Sequence, residues 1–321
     1  MLVVPWPDAP LFPGIDIDTS IALLAHFDID ALVRVRFWNH LGDQYTSATL
    51  TRRIAFMLSP AFSDYEAFVH ELQLTSSVVG GQAALHVFHP SEPAPRVIAI
   101  YTPHRTFFHV LGYLVHQEDF ELRITACEAS PIADEPPPLE VTLTKGRYSF
   151  LLVPGAKESP TPLHPLVSMW NSALCAYFGP NSFCDAYTGL NEHSRGLIHP
   201  SRLALHGQLP ADLGALIRTW TARGWALSNT PSAWVGATPC RGAVSIGCAA
   251  AVRFFGDAHC TSGVLLPLGE TLPRSVGVDL LQEYSVVWWR GGRTCGGGCH
   301  YGETSITGGK RLCLRSVLIT T

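Results

Sequence analysis

The sequence predicts an α+β fold: a mixed sheet with flanking helices, a helical N-terminal cap and an irregular Cys/Gly-rich C-terminal region. Three observations lead there. Helical periodicity recurs between Ile21 and Leu72, strands, a helix and a hairpin alternate between residues 78 and 153, and six of the nine cysteines lie beyond residue 229.

The N-terminal elements come first. Residues 1–19 hold four prolines and three aspartates and read as an arm over the surface. A helix is expected from Ile21 to Phe37, its apolar residues at Ile21, Leu24, Leu32 and Val33 among others, with Asp18 or Thr19 as cap. A second is expected from Thr49 to Met57. A third, entered at Ser63-Asp64, runs from Tyr65 to Leu72 with Tyr65, Phe68, Val69 and Leu72 on one face. Arg34, Arg36, Arg52 and Arg53 concentrate positive charge here, as a solvated helix face or as a phosphate contact.

The middle of the chain is organised around Ser76 to Pro103. An apolar turn leads into Gly80-Gly81-Gln82, a short helix-like run Ala83 to Phe88 follows, a Pro-rich loop breaks it, and Val97-Ile98-Ala99-Ile100-Tyr101 reads as a buried strand. Beyond it come a helix over Thr106 to His116, a strand over Phe120 to Ala126, an acidic Pro-rich loop over Pro131 to Pro138, and a hairpin of Leu139–Leu143 with Tyr148–Val153 around Lys145-Gly146. Leu163 to Leu174 is expected as a helix. Asp212 to Arg223 is another, stopped by Gly224. Strand-like runs recur at Val264–Leu266 and Tyr284–Trp289. This gives three parts: an arm and cap over 1–44, a core over 45–190, and a C-terminal helical and Cys/Gly-rich region over 191–321.

The Gly-Gly pair opening a helix, followed by the strand ending Ile100-Tyr101, resembles the nucleotidyltransferase fold, closest to a group of fungal nucleotidyltransferase-like proteins. Their next strand carries Asp-x-Asp, often as Asp-Leu-Asp-Ile-Tyr. Met169-Trp170-Asn171, Phe183-Cys184-Asp185-Ala186-Tyr187-Thr188 and Trp288-Trp289-Arg290-Gly291-Gly292-Arg293-Thr294-Cys295 continue the resemblance in order. It implies a nucleotidyltransferase-like mixed sheet and a divalent metal on the two aspartates. Those positions here are Val97 and Ala99, and hard cations such as Mg²⁺ need oxygen ligands that neither supplies. The third family carboxylate would fall on Tyr148–Val153, which has no acid. Glu140 is the nearest catalytic candidate, with Asp119 and Glu92 as the further acids of a rearranged cleft.

Composition bounds the rest. With 321 residues, 47% hydrophobic and 15% charged, the chain has ample material for a core. Its 22 basic and 26 acidic residues leave a net charge of −4, so no overall field recruits nucleic acid or an anionic membrane. The opening Met1-Leu2-Val3-Val4-Pro5 has no basic segment before an apolar one, and Val244–Val252 and Leu280–Trp289 are interrupted before membrane-spanning length. A cytoplasmic protein with no membrane partner is expected. An odd number of cysteines, nine, fits reduced thiols better than a disulfide framework.

Cys295-Gly-Gly-Gly-Cys299-His300, with His259-Cys260 and the Cys240…Cys248 pair upstream, is the one metal-like constellation: two thiols in a glycine-rich knuckle can reach one Zn²⁺, with His300 or Cys260 adding ligands. The spacing lacks paired CxxC, and a structural role for free thiols stands beside it. No cofactor is expected; Mg²⁺ is disfavoured and Zn²⁺ is the one alternative. Hydrolase, Walker and Rossmann patterns find no support. The function expected is a pseudoenzyme, a nucleotidyltransferase-like chain without metal-dependent transfer acting as a binding or scaffold module. The alternative is an enzyme of the same fold with a rearranged site. The partner expected is a nucleotide or phosphate-bearing small molecule at Gly80, Gly81 and Gln82, where a helix N-terminus offers free N–H groups, helped by Arg52 or Arg53.

Overall fold

Capping side chains decide where the N-terminal helices begin. The computed structural model describes residues 14–36, 40–123, 140–157, 159–203, 210–234, 247–265, 283–294 and 304–314. Where one helix was expected over Ile21 to Phe37 there are two, α1 (Ile17–Leu24) and α2 (Ile29–Arg36). Asp16 accepts from the Thr19 N–H at 2.9 Å and starts the first; Asp28 accepts from the Ala31 N–H at 2.9 Å and starts the second. An aspartate inside an apolar period offers the backbone an alternative acceptor, so the continuous pattern breaks there. Next comes α3 (His40–Leu58), on which both earlier helices rest. It crosses the boundary expected at residue 44, so cap and core share a helix. Asp64 caps α4 (Tyr65–Thr75), and Ser76, at φ 54°, ends it in a left-handed turn.

The middle of the chain follows the expected order closely: β1 (Val78–Gly80), α5 (Gln82–Phe88), β2 (Ile98–Thr102), α6 (Phe107–His116), β3 (Glu121–Arg123), and the hairpin β4 (Val141–Lys145) with β5 (Tyr148–Pro154). Pro131 to Pro138 lies outside the described residues. Leu163 to Leu174 does not form the expected helix; it makes two 3₁₀ turns, Leu166–Ser168 and Ser172–Leu174. Pro162 and Pro165 restrict the residues before them and remove N–H donors, and Asn171 diverts the Ala173 N–H to its own side chain at 3.1 Å.

The remaining elements are β6 (Ala176–Phe178), β7 (Ser182–Asp185), α7 (Thr188–Asn191), β8 (Arg195–Leu197), α8 (Ala211–Ala222), β9 (Ala226–Ser228), β10 (Arg253–Phe254), β11 (Thr261–Val264), β12 (Tyr284–Trp289), β13 (Gly292–Arg293), β14 (Ser305–Ile306) and β15 (Gly309–Leu314). Eight strands form one mixed sheet in the order β11-β7-β6-β1-β2-β5-β4-β3, in which only β2 and β5 run parallel. β10, β12 and β15 make a second, three-stranded sheet.

Side chains alternate across a strand, and the large sheet uses both faces. Val79, Ile98, Ile100, Phe150 and Leu152 point to one core, shared with α3 to α6. Val78, Ala99, Tyr101, Leu151 and Val153 point to the other, shared with the 3₁₀ turns and with Phe255, Val286 and Trp288 of the C-terminal region. That second face carries the candidate site.

Candidate functional site

Gly80 and Ala99 are register partners across β1 and β2, and Leu151 of β5 pairs with Ala99 on its other side. The Gly-Gly element and the following strand are therefore hydrogen-bonded neighbours. A side chain on Gly80 would sit 2.7 Å from Leu166 Cδ2 and 3.0 Å from both the Ala176 carbonyl and the Tyr101 ring, so only glycine fits. Gly81 turns the chain at φ 66°, ψ −132°, a conformation that is essentially glycine's alone. Its N–H donates to the Ala176 carbonyl at 3.0 Å, and its carbonyl accepts the first turn's bond from Leu85 N at 3.0 Å. Met169 and the Tyr101 hydroxyl roof this turn, and that hydroxyl donates to Met169 Sδ at 3.6 Å. Gly81 is buried, and its N–H is already spent on protein.

The arginines expected beside it lie elsewhere. Arg53 donates to the Val87 carbonyl at 2.8 Å, to the Leu24 carbonyl at 3.0 Å and to the Phe27 carbonyl. Val87 is in the last turn of α5, so Arg53 serves the end of that helix opposite Gly81, about 9 Å along its axis. Arg53 completes helix ends and does not face the Gly-Gly turn. Arg52 is exposed.

The two positions where the resemblance places metal ligands both carry apolar side chains. Val97 precedes β2 and is 45% exposed. Ala99 packs with Leu151, Val78 and Tyr101. Neither position offers an oxygen donor on its side chain, so the residues present do not fit a divalent cation there. Of the acids considered as replacements, Asp119 is exposed, in a left-handed turn at φ 55° between α6 and β3. Glu92 accepts from Arg223 and from Trp225 Nε1, the latter at 2.9 Å, and so pins its loop to α8 and β9.

Glu140 is different. It lies just before β4, half-buried, within electrostatic range of Tyr101 and Arg202. Burial raises its pKa and Arg202 opposes that shift. Burial, then the Glu140 charge, pushes the Tyr101 phenol above its ordinary value. Two histidines complete this rim. His164 Nδ1 lies 2.9 Å from Ser159 Oγ, and burial followed by the Lys310 charge lowers its pKa to about 4. His199 Nδ1 lies 2.7 Å from Ser201 Oγ, and burial followed by Arg290, Arg202 and Lys310 lowers it to about 4 as well. Perturbed groups gathered on one face mark a functional candidate on electrostatic grounds. Between Met169, Cys175, Tyr187, His199, Trp288 and Arg290 the structure leaves a cavity of about 10 Å³, the room of roughly one water.

The sequence drew attention to Gly80, Gly81 and Glu140 as site candidates, named Tyr101, Met169 and Arg290 only as carriers of the resemblance, and missed His164, His199 and Arg202. Nothing distinguishes two of fourteen histidines until the chain has folded. Arg290 had a signal, as a charge following the apolar run Val286 to Trp289.

Of the zinc constellation, Cys295, Cys299, His300 and Cys240 lie outside the described residues. Cys260 Sγ contacts Arg253, Asp257 and the Phe254 carbonyl. Among the described residues no group of three or more His, Cys, Asp or Glu side chains is placed to hold a metal ion, and no helix is long and apolar enough to cross a membrane. Compared with protein-family models, curated proteins and solved structures, the chain finds no match in any of the three.

Proposed function

We propose that this chain is a nucleotidyltransferase-like protein that has lost metal-dependent nucleotidyl transfer and works as a binding or scaffold module. One observation carries the reading: the floor where metal-holding carboxylates would stand is Ala99 between Gly80 and Leu151, under Tyr101 and Met169. An apolar floor cannot order a divalent cation against a triphosphate, and without that cation the charge on a transferring phosphoryl group goes unneutralised. Binding is a separate matter. Of the cations that act on His199, Arg290 and Lys310 donate to protein oxygens and Arg202 is exposed, so Arg202 is the group of this rim that suits a nucleotide or another phosphate-bearing small molecule. Calorimetric titration with ATP and other nucleotides tests this. Equal binding with Mg²⁺ and with a chelator supports the reading, and Mg²⁺-dependent binding or product formation overturns it.

The second reading, an enzyme of the same fold with a rearranged site, draws support from Glu140. A half-buried carboxyl with a raised pKa, near a phenol and a guanidinium, has the properties of a general base. On that reading, nucleotide turnover followed by chromatography is lost in Glu140→Gln; on the first, there is no turnover to lose.

A further inference from the structure

The site described above does not use the thiols at the junction of β7 and β11. Cys184 pairs in register with Ser262, so Cys260, two residues earlier, returns to the same face as Cys184. The two thiols lie within hydrogen-bonding reach of each other. Both are free; Cys184 is 1% exposed and Cys260 is half-buried, so an oxidant in solvent meets Cys260 first.

Cys260 sits against a fixed cation. Arg253, 2% exposed, donates from Nη2 to Cys260 Sγ at 3.7 Å. The guanidinium lies over the Tyr187 ring at 4.7 Å and near the Trp288 ring at 5.7 Å, and its Nη2 donates to the Ala186 carbonyl at 2.5 Å. Two bonds to Asp257, at 2.5 and 3.1 Å, hold it in place and offset that carboxylate's charge. The thiol proton has two acceptors, Asp257 Oδ1 at 3.3 Å and the Phe254 carbonyl at 3.5 Å. A fixed cation against sulfur, on a partly accessible cysteine with a second thiol behind it, is the arrangement of a redox-active pair.

We propose that Cys260 and Cys184 form a reversible redox pair, in which a hydroperoxide oxidises Cys260 and Cys184 resolves it to a disulfide. The Cys260 thiolate attacks the peroxide: an S–O bond forms, the O–O bond breaks, and the peroxide is reduced to water or an alcohol. The Cys184 sulfur then attacks Cys260. The S–S bond forms, the S–O bond breaks, and hydroxide leaves with the Cys184 proton as water. Two thiols have lost two electrons and the peroxide has gained them. A dithiol reverses the step by exchange. The bond would tie β11, supplied by the C-terminal region, covalently to β7.

Treatment of the full chain with hydrogen peroxide, then alkylation and non-reducing peptide mass spectrometry, tests this. The expected result is a Cys184–Cys260 linked peptide, an intact mass lower by about 2 Da, and recovery with dithiothreitol. In Cys184→Ser, Cys260 should instead take up dimedone, the mark of a sulfenic acid, and in Cys260→Ser the linked peptide should vanish while Cys184 stays reduced. The proposal is overturned if Cys260 remains alkylatable at peroxide levels that oxidise other cysteines, or if it is oxidised while Cys184 stays reduced in the unsubstituted chain. The unsubstituted chain and Cys260→Ser decide the matter even if Cys184→Ser fails to fold.

Discussion

Gly80 and Gly81 are identical in composition and differ in what they require. At Gly80 the backbone is ordinary and space is missing, since a Cβ would meet Leu166 at 2.7 Å. At Gly81 space exists, with the nearest atoms at 3.6 Å, and the backbone at φ 66° is the constraint. Gly80→Ala should cost about 1–3 kcal/mol through overpacking, and Gly81→Ala about 1–3 kcal/mol through backbone strain. Urea denaturation of double mutants separates them. Leu166→Val should relieve part of the Gly80→Ala loss and leave the Gly81→Ala loss additive; equal coupling at both sites would contradict this assignment. A glycine pair is legible in a sequence, but which glycine answers to space and which to φ is not. Leu166 and Tyr101, the residues that crowd Gly80, arrive from 86 and 21 positions along the chain.

Among the elements, α3 shows how neighbours in sequence separate in function. Arg52 and Arg53 differ by one step around the helix, about 100°. Arg52 is turned to solvent; Arg53 gathers three carbonyls from the ends of α1 and α5 and the turn after α1. Hydrogen bonds from a charged group are worth about 1.5–3 kcal/mol each, and removing the donor strands buried acceptors. Arg53→Met should therefore lower stability by about 2–4 kcal/mol, while Arg52→Met should stay within about 0.5 kcal/mol. Thermal or urea unfolding checks both, and a smaller loss at Arg53 than at Arg52 would reverse the assignment. Elements with a clear period, such as α4, α6 and α8, were readable because one face alone had to be buried, and β5 and β12, buried on both faces, were readable as short apolar runs. Residues 163–174 were not, because Pro162, Pro165 and the Asn171 side chain outweigh an apolar spacing that fits a helix.

For the whole molecule, the change in composition near residue 229 marked an irregular C-terminal region and left open whether it packs as its own domain, and the chain returns to the main sheet through β11. Cations of that region reach back too: Arg253 to the Ala186 carbonyl, Arg290 to the Ile198 carbonyl, and Lys310 to the His164 carbonyl and Ser168 Oγ. Partners from such distant parts of the chain leave no local signal in the sequence. Burial, then the Lys310 charge at His164 and the Arg290, Arg202 and Lys310 charges at His199, acts against protonation of these rings, whose pKa values fall to about 4 in the folded protein. Unfolded histidine titrates near about 6.5. Between these limits the unfolded state binds more protons, so stability should be constant just above pH ~6.5, fall as pH drops through the window, and lose nothing more from these groups below pH ~4. His164 is 8% exposed, and a shift of this size corresponds to about 3 kcal/mol across the window. Glu118 and Asp257 also oppose acid, because the folded protein holds both below their usual values. Their contribution is lost only as pH falls through the carboxylate range, so the decline that begins below pH ~6.5 belongs to histidine. Urea midpoints measured from pH ~7.5 to ~4.5 should decline below pH ~6.5 in the unsubstituted chain and decline less in His164→Gln. A flat profile between pH ~6.5 and ~5, or an unchanged slope in His164→Gln, would show that protonating this buried ring does not oppose the contact between the main sheet and the C-terminal strands.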